Sequence, residues 1–165
     1  VIEPETEVQE WGAITRLTFN RGHWTKRFGS IQGHSAIDAD MWTGHYDARD
    51  VVFSADVQRL SGASQLVTAR VQGTGRFYAA GFEGDEVVIL KEDFGSTVLA
   101  RAPFTPETGR SYQFAFTVKG DRLSFAVDGQ ELISATDSAY AYGMAGIRLG
   151  SVGRLSLGRF EIVES

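Results

Sequence analysis

Side chains able to bind or transform a ligand are concentrated in one ten-residue segment, "MWTGHYDARD", in a chain that is only 12% aromatic and has three His. The relevant residues of this segment are Trp42, His45, Tyr46, Asp47 and Arg49. Aromatic rings can stack on the apolar face of a sugar, and carboxylate, imidazole and guanidinium groups can hydrogen-bond its hydroxyls, a mixture typical of ligand pockets. Because the segment precedes the apolar strand "VVFSADV", we expect a loop on a rigid scaffold, where binding residues are common.

A second group of polar residues is predicted to line the same pocket from two neighbouring strands. It comprises Arg70, Gln72 and Tyr78. Because Arg70 alternates with the apolar residues of "VTARV", its side chain either faces solvent or reaches into a cleft. A purely structural interpretation of the loop stays open. In that interpretation the aromatic rings close the core, and Asp47 and Arg49 satisfy turn amides and a weak surface ion pair.

Catalytic motifs are weaker than this binding pattern. The chain has no Cys, and "GASQL" lacks the second Gly of the GxSxG nucleophile motif. The segment "GTGRFYAAG" is not followed by a helix pattern, so it predicts a hairpin rather than a phosphate loop. Paired carboxylates could hydrolyse glycosides, but the acidic residues are in turns or on outer strand faces, where solvated charges are usual. These carboxylates are Asp47, Asp50, Asp56, Glu83, Asp85 and Glu86.

The three His residues form a regular pattern without the spacing of a metal site. They occur in "GHW", "GHS" and "GHY", each after a Gly in a turn-like context. Zinc sites usually place two ligands within about five residues of each other, and the gaps here are longer. We therefore predict no cofactor, although a structural calcium ion held by loop oxygens is compatible with a β-sandwich.

Composition limits the class of protein and of partner. The 165 residues fit one domain spanning 1–165, and the net charge of −5 does not favour nucleic acid or an anionic membrane as a partner. The absence of Cys fits a cytosolic protein without excluding secretion, so localisation stays open. The chain opens on Val1 and an acidic stretch, from which we expect a domain excised from a larger protein.

Period-two alternation dominates the chain and predicts an all-β fold. Apolar residues alternate through "SYQFAFTVK" and again after "GD", which predicts a three-strand meander over Ser111 to Ala135. In that meander, "KGD" and "DG" supply the positive-φ residues of tight turns. Further strands are predicted at Ala13–Phe19, Val51–Arg59, Gln65–Gln72, Arg76–Phe82, Glu86–Lys91, Thr97–Ala102, Met144–Leu149 and Leu155–Val163.

The last of these strands has a phase slip that predicts a bulge at Gly158-Arg159, which would put Leu155, Leu157, Phe160 and Ile162 on one face. Many short strands with glycine-rich turns indicate an all-β, antiparallel two-sheet jelly-roll sandwich. An eight-stranded barrel is the alternative, because strand number alone does not separate the two.

Several segments, in order, resemble the β-sandwich domain at the C-terminal end of some bacterial ADP-ribosylglycohydrolase-family proteins. They are "TGHYDARDVVFSADV", "ARVQGTGRFYAAGFEGDEVVILKED", "YQFAFTVKGDRLSFAVDGQELISATD" and "YGMAGIRLG". The second half is similar, more distantly, to laminin-G-like and concanavalin-A-like jelly rolls, including levan-binding-type carbohydrate-binding modules.

The resemblance implies an accessory domain beside a catalytic domain of the same parent chain. The hydrolase itself is helical and holds Mg²⁺ through clustered Asp residues, a pattern that this sequence lacks, so its activity does not carry over. We expect a non-catalytic module that binds a carbohydrate or a ribose-containing ligand. The alternatives are a structural domain that packs against the catalytic domain, and a glycoside hydrolase in its own right.

Overall fold

The computed structural model describes residues 18–21, 23–27, 30–35, 39–43, 47–73, 75–149 and 153–164. These residues form fourteen β-strands and no helix. The strands are β1 (Thr18–Arg21), β2 (His23–Arg27), β3 (Ser30–Ser35), β4 (Ala39–Thr43), β5 (Val51–Ser61), β6 (Ser64–Gly73), β7 (Arg76–Glu83), β8 (Glu86–Asp93), β9 (Ser96–Pro103), β10 (Ser111–Lys119), β11 (Arg122–Val127), β12 (Gln130–Thr136), β13 (Met144–Leu149) and β14 (Gly153–Glu164).

The strands form two antiparallel seven-stranded sheets. One has the order β1-β4-β13-β6-β7-β8-β9 and the other the order β12-β11-β10-β5-β14-β3-β2. Each sheet keeps two edge strands, so the structure is a sandwich and the barrel alternative is wrong. The predicted concanavalin-A-like jelly-roll architecture is confirmed.

Strict alternation explains why the core lies between the sheets. Along β5 every second residue is buried, and β10 repeats the pattern beside it. The inward side chains meet as perpendicular aromatic pairs: the ring of Phe82 lies 4.7 Å from that of Phe114, and Phe114 lies 5.0 Å from Phe125. Such edge-to-face pairs add about 0.5–1.5 kcal/mol beyond the burial of their area.

Two details predicted for the hairpins and the last strand are confirmed. Gly120, Asp128 and Gly129 have positive φ angles of 59°, 51° and 83° in the turns of the β10–β11–β12 meander. In β14, Leu157 pairs with Val57 whereas Phe160 pairs with Ala55, so two residues of β14 lie opposite one residue of β5. This extra residue is the bulge that the sequence indicates at Gly158-Arg159.

The region before Val51 differs from the prediction. Met41–Thr43 belongs to β4, which pairs with β1 and β13, so the predicted loop is shorter than "MWTGHYDARD". His23 and His34 lie in strands and are direct cross-strand partners rather than turn residues. The polar composition of residues 22–43 shows little alternation, so the sequence predicts no strand there. His45, Tyr46 and most of the predicted strand at 13–19 lie outside the described residues.

Strand register brings five chain segments to one end of the sandwich, here called the cleft end. In the first sheet, β6 ends where β7 begins, and β8 ends beside them. In the second sheet, the β10–β11 turn lies beside the start of β5 and the end of β12. The described segments that meet there are 47–50, 75–76, 93–96, 119–122 and 137–144.

Candidate functional site

Arg70 lies in a bulge of β6 that turns its side chain towards the cleft end. On β13, Met144 and Gly146 are two residues apart, but their partners Val71 and Thr68 are three apart. Arg70 takes a positive φ of 50°, a left-handed conformation that costs a non-glycine residue about 1–2 kcal/mol. The residue is 3% exposed, so of the two predicted positions the structure shows the buried one.

The guanidinium of Arg70 ties both sheets to the connecting segments. Its Nη1 donates to the carbonyl oxygens of Gly120 at 2.7 Å and Tyr140 at 2.8 Å, and its Nε donates to that of Arg49 at 3.0 Å. Its Nη2 lies 3.4 Å from Asp50 Oδ1, which also accepts from the Gly120 amide at 2.9 Å. Burial lowers the pKa of Arg70, and the nearby Asp50 carboxylate partly opposes this shift.

Gly143 lets the connecting segment pass directly over the bulge. A Cβ at Gly143 would stand 2.4 Å from the carbonyl carbon of Arg70 and 2.6 Å from the amide nitrogen of Val71. The residue has a φ of +149°, and its amide donates to the Ala48 carbonyl at 2.9 Å. Glycine is therefore required here both by conformation and by space.

A buried hydrogen-bond network fixes the start of the 137–143 segment. The Tyr78 hydroxyl donates to Asp137 Oδ1 at 2.5 Å and accepts from the Tyr140 amide at 3.1 Å. The other carboxylate oxygen of Asp137 pairs with Lys91 at 3.1 Å, and the Ala139 amide donates to Oδ1 at 2.9 Å. The segment thus begins as a turn closed by its own Asp side chain.

This network shifts the pKa values of both of its acids. Burial, together with the carboxylate of Asp137, raises the pKa of Tyr78 to about 12. Burial alone would raise the pKa of Asp137, but hydrogen bonds from Tyr78, from the Ala139 amide and from Lys91 hold it below its usual value. Asp137 is consequently a permanent anion at neutral pH that anchors the segment.

Tyr140 forms the wall between the cleft and strands β7 and β8. Its ring is 1% exposed and lies beside that of Tyr78, with 5.1 Å between the ring centres. The guanidinium of Arg76 covers the Tyr140 ring, 5.2 Å from its centre, and the Tyr140 hydroxyl donates to the Glu92 carbonyl at 2.5 Å. Burial raises the pKa of Tyr140.

The contacts of Arg70, Gly143, Asp137 and Tyr140 form the frame of an open cleft of about 270 Å³. Its lining residues are Arg49, Asp50, Arg70, Gly120, Asp121, Ser138, Tyr140 and Ala141. The side chains of Arg49, Asp121 and Ser138 are exposed, and Arg49 lies over the ring of Tyr142 at 5.8 Å. Buried groups therefore hold the frame of the cleft, while an acid, a cation and a hydroxyl face its opening.

The structure brings some of the predicted site residues together and separates others. Arg49 and Arg70 both line the cleft, and Gln72 donates to the Tyr142 carbonyl at 3.0 Å beside it. Asp47 is exposed in the turn that leads to Arg49. Tyr78 is fully buried, so it supports the cleft through Asp137 and offers a ligand no ring face.

Trp42 is placed only by its strand register. It pairs with Thr18 of β1 and with Gly146 of β13, and Gly146 pairs in turn with Thr68 of β6. Its strand is therefore two strand spacings, roughly 10 Å, from that of Arg70. His45 and Tyr46 lie outside the described residues.

Sequence reasoning missed Asp121, Ser138 and Tyr140. Asp121 lies in the β10–β11 turn, and Ser138 and Tyr140 lie in the irregular connection between β12 and β13, so the three are 51 to 70 positions from Arg70 in the chain. The cluster "ATDSAYAYG", with two Tyr beside an acid in a connection of irregular structure, is the one signal that could have indicated them.

A second depression lies on the outer face of the first sheet. Its volume is about 480 Å³, and its floor is an apolar patch on β6, β7 and β8 that includes Leu66, Phe77, Ala79 and Val88. Glu83, Glu86 and Arg101 surround it, and Glu86 faces Arg101 at 4.0 Å. None of the predicted site residues whose side chains the structure describes lines it, whereas Arg49 and Arg70 line the cleft, which is therefore the candidate functional site.

Two kinds of feature are absent from the described part of the chain. No group of three or more His, Asp or Glu residues there is arranged to hold a metal ion. Nor is any helix of these residues long and apolar enough to cross a membrane.

Solved structures share this fold. A carbohydrate-binding module, CBM66, from Bacillus subtilis superposes with a TM-score of 0.85 at 21% identity, over 93% of this chain and 98% of that chain. The exoplasmic/lumenal domain of VIP36, in a form bound to Ca²⁺ and Man3GlcNAc, has a TM-score of 0.68 at 11% identity, covering 90% and 84% of the two chains. An alginate lyase of polysaccharide lyase family 7 has a TM-score of 0.62 at 9% identity, covering 87% and 82%.

At these identities the likeness shows a shared fold, and that fold occurs in binding modules and in an enzyme alike. No protein-family model matches the sequence, and no curated protein matches it.

Proposed function

We propose that this protein is a non-catalytic carbohydrate-binding module that holds one sugar residue in the cleft. The observation that carries the proposal is the arrangement of Arg49, Asp121 and Ser138 around a preformed opening of about 270 Å³. Together these groups donate and accept hydrogen bonds, as the hydroxyls of a sugar require. The volume is just below the range of about 300–1,000 Å³ that is usual for small-ligand pockets, which fits a single sugar residue.

Rigidity of the frame supports binding over a purely structural role. Arg70 fixes the carbonyls of Arg49, Gly120 and Tyr140, so the segments that carry the exposed side chains are held before a ligand arrives. Preorganised groups lose little conformational entropy on binding. The names of the structural neighbours, a carbohydrate-binding module and a mannose-glycan complex, are consistent with this proposal.

The absence of catalysis is part of the proposal. Asp121 and Asp50 belong to the cleft, but Asp50 is occupied by Gly120 and Arg70 in the frame. Glycoside hydrolysis needs two carboxyl groups that flank the scissile bond. The other acids considered from the sequence do not line the cleft: for example, Glu83 ends β7 and Asp85 follows it, at the opposite end of the sandwich.

A glycan array followed by calorimetry tests the proposal, with fructans, mannose-terminated glycans and ADP-ribose among the probes. Asp121→Ala should weaken binding of the best probe by roughly tenfold, since it removes a hydrogen-bonding group worth about 1–3 kcal/mol when charged. Asp85→Ala is the matched control, because Asp85 is also an exposed turn acid but lies at the opposite end. Absence of binding to every probe, or equal loss in both variants, would refute the cleft as a sugar site.

The resemblance to accessory domains of ADP-ribosylglycohydrolase-family proteins extends the proposal to a partner. On that basis the module would lie beside a catalytic glycohydrolase domain in its parent chain and bring it to a glycan or to a ribose-containing substrate. Sequencing the complete reading frame tests this part separately. A frame without a hydrolase domain would remove the partner while leaving sugar binding intact.

A further inference from the structure

Phe94 is the most exposed large apolar side chain of the described residues, with 82% of its surface open to solvent. It occupies the β8–β9 turn, at the same end of the sandwich as the cleft. A single exposed apolar residue needs no explanation by itself. The surroundings of Phe94, however, hold its backbone and its ring in place, which is unusual for an exposed surface residue.

Backbone and ring of Phe94 are both constrained. Phe94 has a φ of +53°, a left-handed conformation that bulky residues rarely adopt. Its amide donates to the Gly75 carbonyl at 2.8 Å, which joins the β8–β9 turn to the β6–β7 turn. A Cβ at Gly75 would stand 2.6 Å and 2.9 Å from two ring carbons of Phe94, so the ring rests against glycine backbone. Outliers of this kind occur at functional sites, where the surrounding structure maintains them.

A continuous line of side chains connects Phe94 with the cleft. Asp93, its chain neighbour, faces Arg76 at 3.9 Å, and Arg76 covers the ring of Tyr140, which lines the cleft. Arg76 is about half exposed and can donate hydrogen bonds to a molecule passing above it. Strand β8 lies two strand spacings from the strand of Arg70, roughly 10 Å. That span is within the reach of a short oligosaccharide.

We propose that Phe94 is the aromatic platform of a second sugar subsite, and that the ligand is an oligosaccharide rather than a single sugar. One sugar unit of the oligosaccharide occupies the cleft, and the oligosaccharide then crosses Arg76. A following sugar unit stacks its apolar face on the ring of Phe94. The subsite rests on the proposed function, since it extends the same binding site. It adds a requirement for ligand length that the cleft alone does not impose.

The test compares affinities along two oligosaccharide series, of fructans and of manno-oligosaccharides, each from monosaccharide to hexasaccharide. Phe94→Asn removes the ring but keeps a residue that tolerates the left-handed conformation, and Phe94→Tyr keeps the ring. We expect wild type to gain affinity with ligand length. Phe94→Asn should lose roughly tenfold on the longer members and nothing on the monosaccharide, in line with the contribution of one aromatic contact. Phe94→Tyr should behave as wild type, and both variants should keep the wild-type Tm.

Each contrary outcome has its own meaning. If wild type binds the sugars and Phe94→Asn matches it at every length, the platform is refuted while the cleft stands. If wild type binds no member of either series, the proposed function fails together with the subsite. If the ring instead controls self-association in light scattering, or pelleting with phosphatidylcholine vesicles, the sugar platform is overturned in favour of that contact.

Discussion

Arg70 donates a hydrogen bond of 2.8 Å to the main-chain carbonyl of Tyr140, a residue 70 positions later in the chain. This contact links a bulge in β6 to the middle of the connection between β12 and β13. Through Gly120 the same guanidinium also reaches the opposite sheet. One buried cation therefore determines how the two sheets meet at the cleft end.

Replacement of Arg70 by Lys should lower the free energy of unfolding by about 3 kcal/mol, because one ammonium group cannot satisfy the carbonyls of Arg49, Gly120 and Tyr140 together. Urea denaturation measures this loss. Sugar affinity should fall as well, since the frame of the cleft loosens. A variant with wild-type stability would show that these hydrogen bonds contribute little.

Arg59 provides the matched control for Arg70. It is 8% exposed and lies at the opposite end, where it donates to Gln65 Oε1 at 2.6 Å and to the Ala63 and Gly84 carbonyls. Arg59→Lys should cost a similar unfolding free energy, yet leave sugar affinity unchanged when measured well below its Tm. Equal losses of affinity in both variants would mean that binding merely follows stability.

Gly143→Ala should destabilise the protein by about 2–4 kcal/mol, because the new methyl group would collide with the backbone of Arg70 and the φ of +149° would be strained. Gly84→Ala is the comparison. Gly84 also has a positive φ, of 61°, but a methyl group there would meet no atom within 4 Å, so only the conformational cost of about 1 kcal/mol applies. Thermal denaturation of both variants separates collision from strain. Equal Tm losses would contradict the close approach.

Tyr78 should make the protein sensitive to alkali. Its native pKa of about 12 lies above the value near 10 of an unfolded chain, so the stability from the neutral phenol is complete below pH 10 and is lost as pH rises towards 12. Two pKa units correspond to about 3 kcal/mol. Tyr78→Phe should be less stable than wild type at pH 7, and the difference should shrink between pH 10 and 12. Urea titrations at several pH values check this, and a constant difference would count against it.

Asp137 should produce the opposite dependence in acid. Its native pKa is depressed, so its stabilising effect is complete above the unfolded value near 4 and disappears as pH falls through the native pKa. Asp137→Asn should cost about 2 kcal/mol at pH 7, where charge-assisted bonds to Tyr78 and Lys91 are lost. The cost should vanish in strong acid. The measurement is denaturant unfolding from pH 2 to 7, and a cost independent of pH would exclude the ionised carboxylate as its source.

Local alternation was enough to predict the strands after Val51 and the bulge in β14. Phe114, Phe116 and Val118 are buried on one face because the period of two leaves no other arrangement once that face meets the core. The strands at His23–Arg27 and Ser30–Ser35 escaped prediction because "HWTKR" and "SIQGHS" carry few apolar residues. The first pairs with the second directly after it, and the second also depends on β14, which is distant in sequence.

The candidate site was only partly predictable for the same reason. Arg49 and Arg70 could be selected by residue type, but the positive φ that buries Arg70 arises from a bulge that sequence alternation does not show. Asp121, Ser138 and Tyr140 become neighbours of these residues only when the two sheets close. The type of each residue is evident from the sequence, whereas the meeting of these side chains in one cleft depends on the tertiary structure.

The contacts of Arg70 with main-chain oxygens have an evolutionary consequence. Every amino acid carries a carbonyl group, so the hydrogen bond from Arg70 to residue 49 does not depend on the exposed side chain there, whereas position 120 also needs a positive φ and position 140 a buried ring. Substitutions at exposed positions such as 49, 121 and 138 can then change which ligand is preferred without altering the anchor beneath them. One sandwich could in this way acquire new specificities by mutation at its turns, and a combinatorial library at those three positions should yield mostly folded proteins.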